Sequence, residues 1–452
     1  MILEKKLKFY GLKDLEKIPQ FNQLPEEQKF ETKVVSHVLP FRTNNYIVEE
    51  LIDWNNIPAD PMFQLTFMQK GMLANDHFNR MADALRRDLS KEELKEIADD
   101  IRREMNPHPA GQAVANVPVL DDEPVAGVQH KYRETCLVFP TGGQTCHAYC
   151  TFCFRWAQFV NMDDLQFATD ESKRFQQYLK EHKEISDVLF TGGDPMVMSY
   201  QKLNAYIEPL LGPEFDHIKN IRIGTKSLTY WPYKYVTDKD ADKIIDLFDR
   251  VVDSGKHLAI MAHVNHHVEL STDVVNEAIR RIKKTGAQIR TQSPLIQHIN
   301  DDSKVWSTMW KKQVNLGLIP YYFFVERDTG PKNYFAVPLH RAVDIFRDAY
   351  SEVSGLCRTV RGPSMSATPG KIQVEGITEI NGEKAFVLNF LQGRNAKWVK
   401  NPFFAKYDED AIWLDDLKPF FGDKFFFEKE LDEFIQKKTD QLGKNDIHVV
   451  NF

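Results

Sequence analysis

Apolar and polar positions follow two rhythms along this chain. From about residue 129, short apolar runs recur at Cys136–Phe139, Val188–Phe190, Ile221–Gly224, Leu258–His263, Gln288–Gln292 and Pro320–Val325. Between them lie segments with helical spacing. Asp242–Asp253 gathers Ile244, Ile245, Phe248, Val251 and Val252 on one face and ends before Gly255. Thr272–Lys284 gathers Val275, Ala278, Ile279 and Ile282 and ends before Gly286. Strand-length runs alternating with amphipathic helices predict an α/β fold with a parallel sheet and right-handed crossovers. Six such units predict a partial (β/α)6 barrel, open on one side, with its chemistry at the C-terminal ends of the strands.

The flanks have a different texture. Residues 1–128 read as a helical, polar N-terminal region. In it, Ser90 and Glu93 form a capping-box pattern ahead of the helix expected over Leu89–Met105. Pro107–Val128 has no period and reads as a linker or wrapping arm. The barrel is expected over 129–345 and an α+β C-terminal extension over 346–452. That extension starts from a helix pattern at Leu339–Val353 and a Gly/Pro/Ser-rich loop at Arg361–Lys371. Short strands at Ile372–Ile377 and Ala385–Leu391 and an aromatic tail follow. The tail either packs as core or forms an interface between copies of the chain in a homo-oligomer.

Charge and composition narrow the function. The 452 residues carry 58 Lys and Arg against 65 Asp and Glu, a net −7. Nucleic-acid binding needs clustered cations and is not expected. No apolar stretch nears the ~20 residues of a membrane span. The N-terminal Met-Ile-Leu-Glu-Lys-Lys lacks the apolar core of a secretory signal, so a cytoplasmic protein is expected. Five cysteines, three of them crowded together, do not look like a disulfide framework.

The strongest chemical signal is Cys146-His-Ala-Tyr-Cys150-Thr-Phe-Cys153, on the loop after the first predicted barrel strand. Three thiolates at this spacing suit three irons of a [4Fe–4S] cluster and leave the fourth iron open for a ligand. Structural zinc prefers four ligands, usually as separated pairs, and His147 beside Cys146 closes a tetrahedron awkwardly.

The triplet, with Phe152 before its last cysteine, resembles that of the radical S-adenosylmethionine (SAM) superfamily. So does Thr191-Gly192-Gly193-Asp194-Pro195 after the second strand. There the open iron chelates SAM, the Gly-Gly turn lets backbone approach its amino group, and the reduced cluster cleaves SAM to a 5′-deoxyadenosyl radical. From about Phe41 to Lys371 the chain resembles the lysine 2,3-aminomutase family. Matching stretches include Leu39-Pro-Phe-Arg42, Val125-Ala-Gly-Val-Gln-His130, Ile221-Arg-Ile-Gly224, His263-Val-Asn-His266, Thr291-Gln-Ser293, Ile319-Pro-Tyr-Tyr322 and Pro369-Gly-Lys371.

The resemblance implies a 2,3-aminomutase that uses pyridoxal phosphate (PLP) beside the cluster and moves an α-amino group to the β-carbon of a small amino acid. It also implies a reducing electron donor of flavodoxin or ferredoxin type. Lys371 falls at the PLP-linked lysine, in a loop expected to be flexible, and Arg155 at the arginine that binds the substrate carboxylate. Lys131 and Tyr132 fall where the family contacts PLP, and His263 and Gln292 are expected to line the SAM or PLP site. The family has two arginines in the PLP-contact region. Here Lys131 takes one place and Arg133 or Thr135 lies near the other, with a two-residue insertion before Cys146.

Departures bear on the substrate. Lysine-specific members hold the ε-ammonium with two aspartates, and the matching positions here are Arg327 and Ser364, with Glu326 and Asp328 flanking Arg327. A cation repels that ammonium, so an acidic or polar substrate such as glutamate or aspartate is expected. The C-terminal cysteines that bind an intersubunit zinc in those members are absent after Cys357. Two other readings compete: a radical SAM enzyme with different chemistry or a protein-bound lysine substrate, and an iron–sulfur binding or sensor protein.

Overall fold

The computed structural model describes residues 2–107, 115–160, 162, 167–169 and 172–443. Its frame is one mixed sheet of eleven strands: β1 Val128–Tyr132, β2 Thr135–Val138, β3 Asp187–Phe190, β4 Asn220–Thr225, β5 His257–His263, β6 Gln288–Leu295, β7 Ile319–Val325, β8 Arg361–Ser366, β9 Gly370–Ile380, β10 Glu383–Gly393 and β11 Phe403–Lys406. Neighbours in the sheet are neighbours in sequence. Strands β2 to β8 run parallel; β1 pairs antiparallel at one edge and β9 to β11 antiparallel at the other. Strand β5 is buried along nearly its whole length, as expected of a parallel strand covered on both faces.

The six predicted strands are β2 to β7. The helices between them form at Ala241–Asp253 and Asp273–Lys284, the second capped by the Thr272 side chain, and both end before a glycine at φ +83°. The Ser90–Glu93 capping box forms at the start of the helix Lys91–Glu104.

Two expectations need correcting. The stretch Arg361–Lys371 is mostly strand, not loop: β8 is the seventh parallel strand, and only Ala367–Pro369 separate it from β9. Its Gly and Pro disguise a buried strand. A Cβ on Gly362 would lie 2.3 Å from the carbonyl oxygen of Phe323 on β7, so glycine is what lets the strands pair. Nor is the N-terminal region simply polar. Its helices Glu26–Val38, Asn75–Arg86 and Lys91–Glu104 share one core with the parallel strands, and Val34, Val35, Phe63 and Phe67 are fully buried in it. The stacked pair Phe63–Phe67 has ring centroids 4.8 Å apart.

A second core joins β7–β11 to the helix Leu339–Ser351 and the aromatic tail. Phe386, Phe390, Phe403, Trp413 and Phe427 are buried there, whereas Phe421 and Phe426 are exposed. Residues 108–114 of the predicted arm and 444–452 of the tail lie outside the described residues. Among the described residues, no helix is long and apolar enough to cross a membrane.

Candidate active site

The C-terminal ends of the strands converge on a cavity of about 340 Å³. Each strand from β2 to β10 contributes to its wall or to the turn beyond it: Leu137, Thr191, Thr225, His263, Gln292, Val325, Ser366, Lys371 and Gln392. The three cysteines, Gly192, Gly193, Lys131, Tyr132, Arg155 and Arg327 also line it. Nearly all of the predicted site residues are therefore brought together. The two exceptions are Asp194 and Ser364.

The cysteine loop is held by the N-terminal region. Backbone N–H groups of Tyr149 and Thr151 donate to the carbonyls of Arg42 and Leu65 at 2.8 and 3.0 Å. The Arg42 guanidinium bonds the Thr145 hydroxyl and reaches the Cys146 carbonyl at 3.4 Å, while stacking on Tyr149. The Asn44 amide donates to the carbonyls of His147 and Tyr230, each at 3.0 Å. Sequence reasoning assigned no role to Arg42 or Asn44, although Arg42 closes a matching stretch. All three thiols are free, and burial pushes their pKa values up, to about 11 for Cys150 and about 12 for Cys153. Metal binding there must displace the thiol protons. Among the described residues, ligand atoms close to within 4.8 Å of one another only at the surface group Asp76–His77–Glu104, not at the cysteines.

The glycine turn has a reason inside the protein. A Cβ on Gly193 would lie 2.5 Å from the Thr145 carbonyl oxygen and 2.6 Å from its nitrogen, and one on Gly192 would meet the Gln144 side chain at 2.3 Å. The turn therefore packs backbone to backbone against the residue before Cys146. Asp194 is buried and faces away from the cavity wall. Its N–H donates to the carbonyls of Gly143 and Thr145, and its carboxylate accepts from Thr225 Oγ1 at 2.7 and 2.8 Å and from the N–H of Met196 and Lys226 at 2.9 Å. It braces the turn against β4. The Pro140–Gly143 segment forms the other side of that packing.

Lys371 is the second residue of β9, so the flexible loop expected around it is a strand start. Its amine sits 4.0 Å from the centroid of the Tyr322 ring and 5.2 Å from that of Phe324. Burial, reinforced by Arg222, Arg361 and Arg327, lowers its pKa to about 7. The preceding turn is clasped: Lys131 Nζ bonds the Ala367 carbonyl, and Arg394 bonds the Thr368 carbonyl at 2.8 Å and Asn116 Oδ1 at 2.6 Å. Arg133 points outward and pairs with Glu134, leaving Thr135 at the wall.

The wall is cationic. Arg222 is paired with Asp187 and Lys226 with Glu269, each at 2.6 Å. Arg155 and Arg327 lie against one ring, Phe154, at 5.1 and 4.9 Å, and Arg327 Nη1 is buried without a hydrogen-bond partner. Burial lowers the Arg155 pKa to about 9, above neutrality still. Glu326 also lines the cavity, and burial pushes its carboxyl well up, toward the neutral form. Ser364 is fully buried and does not reach the wall; its hydroxyl lies 3.4 Å from the Phe323 carbonyl. His263 is kept neutral, its pKa lowered by burial and then Lys226 to about 3, and it pairs in register with Gln292.

A mixed α/β sheet whose strand ends gather a C-x3-C-x2-C loop and a glycine turn around one cavity is the arrangement that the resemblance to SAM-dependent iron–sulfur enzymes implies. The comparisons give the family. A protein of Aquifex aeolicus named as a candidate L-lysine 2,3-aminomutase is 32% identical over 420 residues, spanning 91% of this chain and 95% of the relative. The L-lysine 2,3-aminomutase of Escherichia coli is 25% identical over 255 residues, 55% of this chain and 70% of that one. That of Clostridium subterminale is 24% identical over 236 residues, about half of either chain. Among solved structures, a radical SAM methyltransferase from Sphaerobacter thermophilus is similar at a TM-score of 0.35 and 13% identity, covering 52% of this chain and 68% of that chain, too faint a likeness to argue from. No family model matches. The chain belongs to the lysine 2,3-aminomutase family of radical SAM enzymes, as a divergent member.

Proposed function

We propose that the protein is a radical SAM, PLP-dependent 2,3-aminomutase acting on an acidic amino acid, on a sheet curled into a partial (β/α)6 barrel. The observation that carries this reading is that the Lys371 amine and the three thiols open into one cavity. When bound, the cluster with SAM supplies hydrogen-atom abstraction, and PLP supplies a conjugated ring over which an unpaired electron spreads.

Cys146, Cys150 and Cys153 would hold the cluster; three thiols for four irons leave one position open. Lys371 offers an amine that is half neutral near pH 7 and so ready to act as a nucleophile. The aromatic floor of Tyr322 and Phe324 and the cations around it suit a flat, anionic ligand. Lys131 would anchor its phosphate. Arg155 would take the substrate α-carboxylate, and the unpartnered Nη1 of Arg327 a second carboxylate on the side chain. Burial pushes Glu326 toward its neutral form, so the wall's arginines face little opposing charge, which favours glutamate or aspartate over lysine. A cytoplasmic setting and a flavodoxin- or ferredoxin-like donor complete the proposal.

The test is mass spectrometry of the anaerobically purified protein after borohydride reduction. A phosphopyridoxyl group on Lys371 is the expected result. An amino-acid panel then follows, and lysine converted far faster than glutamate or aspartate would reject the acidic substrate. No modification, with PLP supplied and the cluster intact, would reject the PLP chemistry.

A further inference from the structure

We propose that Tyr230 is a positioning residue of the iron–sulfur site, donating its phenol O–H to the Cys150 sulfur and thereby setting the cluster's reduction potential. The proposal rests on reading the cysteine triplet as a cluster site.

The Cys150 Sγ lies 3.7 Å from the Tyr230 hydroxyl oxygen. A free thiol and a phenol can each donate in such a pair. A metal-bound thiolate has no proton, so there the phenol is the donor. The contact is built rather than incidental. Tyr230 is 1% exposed. Its carbonyl accepts from the Asn44 amide at 3.0 Å, and that same amide nitrogen holds the His147 carbonyl, inside the cysteine loop, at 3.0 Å. One side chain therefore fixes the tyrosine and the loop to each other.

The other face of the arrangement is charged. Lys226 Nζ sits 4.3 Å from the Tyr230 ring centroid and is locked by Glu269 at 2.6 Å and Asn265 Oδ1 at 2.8 Å. The cation packs on the ring face and helps hold the tyrosine in place. A hydrogen bond to a ligating sulfur stabilises the added negative charge of the reduced cluster more than the oxidised one, so it raises the potential. Tyr230 lies between the matching stretches Ile221–Gly224 and His263–His266. It lies 80 residues from Cys150.

The test is an EPR-monitored reductive titration of the anaerobically reconstituted full chain without SAM, with iron counted per chain. Tyr230→Phe is expected to keep its iron and to titrate lower, with the ratio of reduced to oxidised cluster at a fixed potential down about tenfold, or about 59 mV for one electron. Tyr46→Phe, which removes a buried hydroxyl that bonds Thr272 at 2.9 Å, is expected to leave the midpoint where it was. If Tyr230→Phe fails to assemble its cluster, 2,3-difluorotyrosine at position 230 keeps the shape and strengthens the donor, and the midpoint is expected to rise. Full iron with an unmoved midpoint in either variant at position 230 overturns the proposal alone. A wild-type chain that takes up no iron and gives no cluster signal overturns the cluster reading and this proposal with it.

Discussion

Lys371 is where a single residue's environment sets the chemistry. An ordinary lysine with a pKa near 10.4 has only about one neutral amine in three thousand at pH 7. Burial first, then three arginines, bring Lys371 to about 7. The sign follows: the neutral amine prevails above that value and is lost below it. The rate of PLP capture by the PLP-free protein is therefore expected to rise from pH 6 and level off by about pH 8. A rate still climbing beyond pH 9 would mean an unperturbed amine. Arg361, stacked 4.3 Å from both Tyr321 and Tyr322, is one of the three cations. Arg361→Met is expected to move the midpoint upward in the same stopped-flow series. Arg327→Gln removes the charged hydrogen bond proposed to the substrate's side-chain carboxylate. Such bonds are worth about 1.5–3 kcal/mol. The kcat/KM for an acidic substrate is expected to fall roughly 10- to 100-fold in steady-state assays while its Lys371–PLP adduct still forms. The cysteine triplet is legible in the sequence as a short local motif, and Lys371 is singled out only by the family resemblance. Asn44 is not legible, because its two bonds span 103 and 186 residues and no local spacing announces them.

At the scale of elements, the junction between the turn after β3 and the cysteine loop is the point of least tolerance. Gly193 meets Thr145 backbone, which cannot swing aside as a side chain does. A methyl group there must push the loop away from β3 or displace the turn. Overpacking of this kind costs about 1–3 kcal/mol. Gly193→Ala is expected to lower the melting temperature and to leave the reconstituted protein with substoichiometric iron by colorimetric assay. Full iron would show that the loop absorbs the shift. Gly255→Ala is the contrast. It has φ +83° but nothing within 4 Å, so its cost is confined to the backbone and iron is expected to be complete. The same distinction separates what the pattern revealed from what it hid. Strands β2 to β7 were legible from apolar runs bounded by amphipathic helices. Strand β8 was not, since Gly362, Pro363 and Ser364 carry the composition of a loop while being buried like a core strand.

The whole molecule is acidic, yet its cavity is basic. The −7 is the sum over the whole chain, so the residues outside this basic cavity are more acidic still. Lys131, Arg155, Arg327 and Lys371 all face inward, against Glu326, whose burial favours its neutral form. Positive charge on any of these four side chains repels the others, which after burial helps lower the pKa values of Lys131, Arg155 and Lys371, and an anionic ligand relieves that repulsion. Ligand binding is therefore expected to stabilise the fold, and by more for ligands with more negative charge. PLP at 100 times its Kd adds about 2.7 kcal/mol by mass action alone. Pyridoxal has the same ring and aldehyde without the phosphate. If the basic wall serves to hold phosphate, pyridoxal at equal concentration is expected to raise the melting temperature much less. Lys131→Met is expected to narrow the gap between the two ligands, since it removes the amine nearest the Ala367 turn. Burial limits salt screening, so the gap is expected to persist at moderate ionic strength. Equal shifts from the two ligands in differential scanning fluorimetry would mean that ring and lysine alone hold the cofactor, and that these cations answer to the substrate's carboxylates instead.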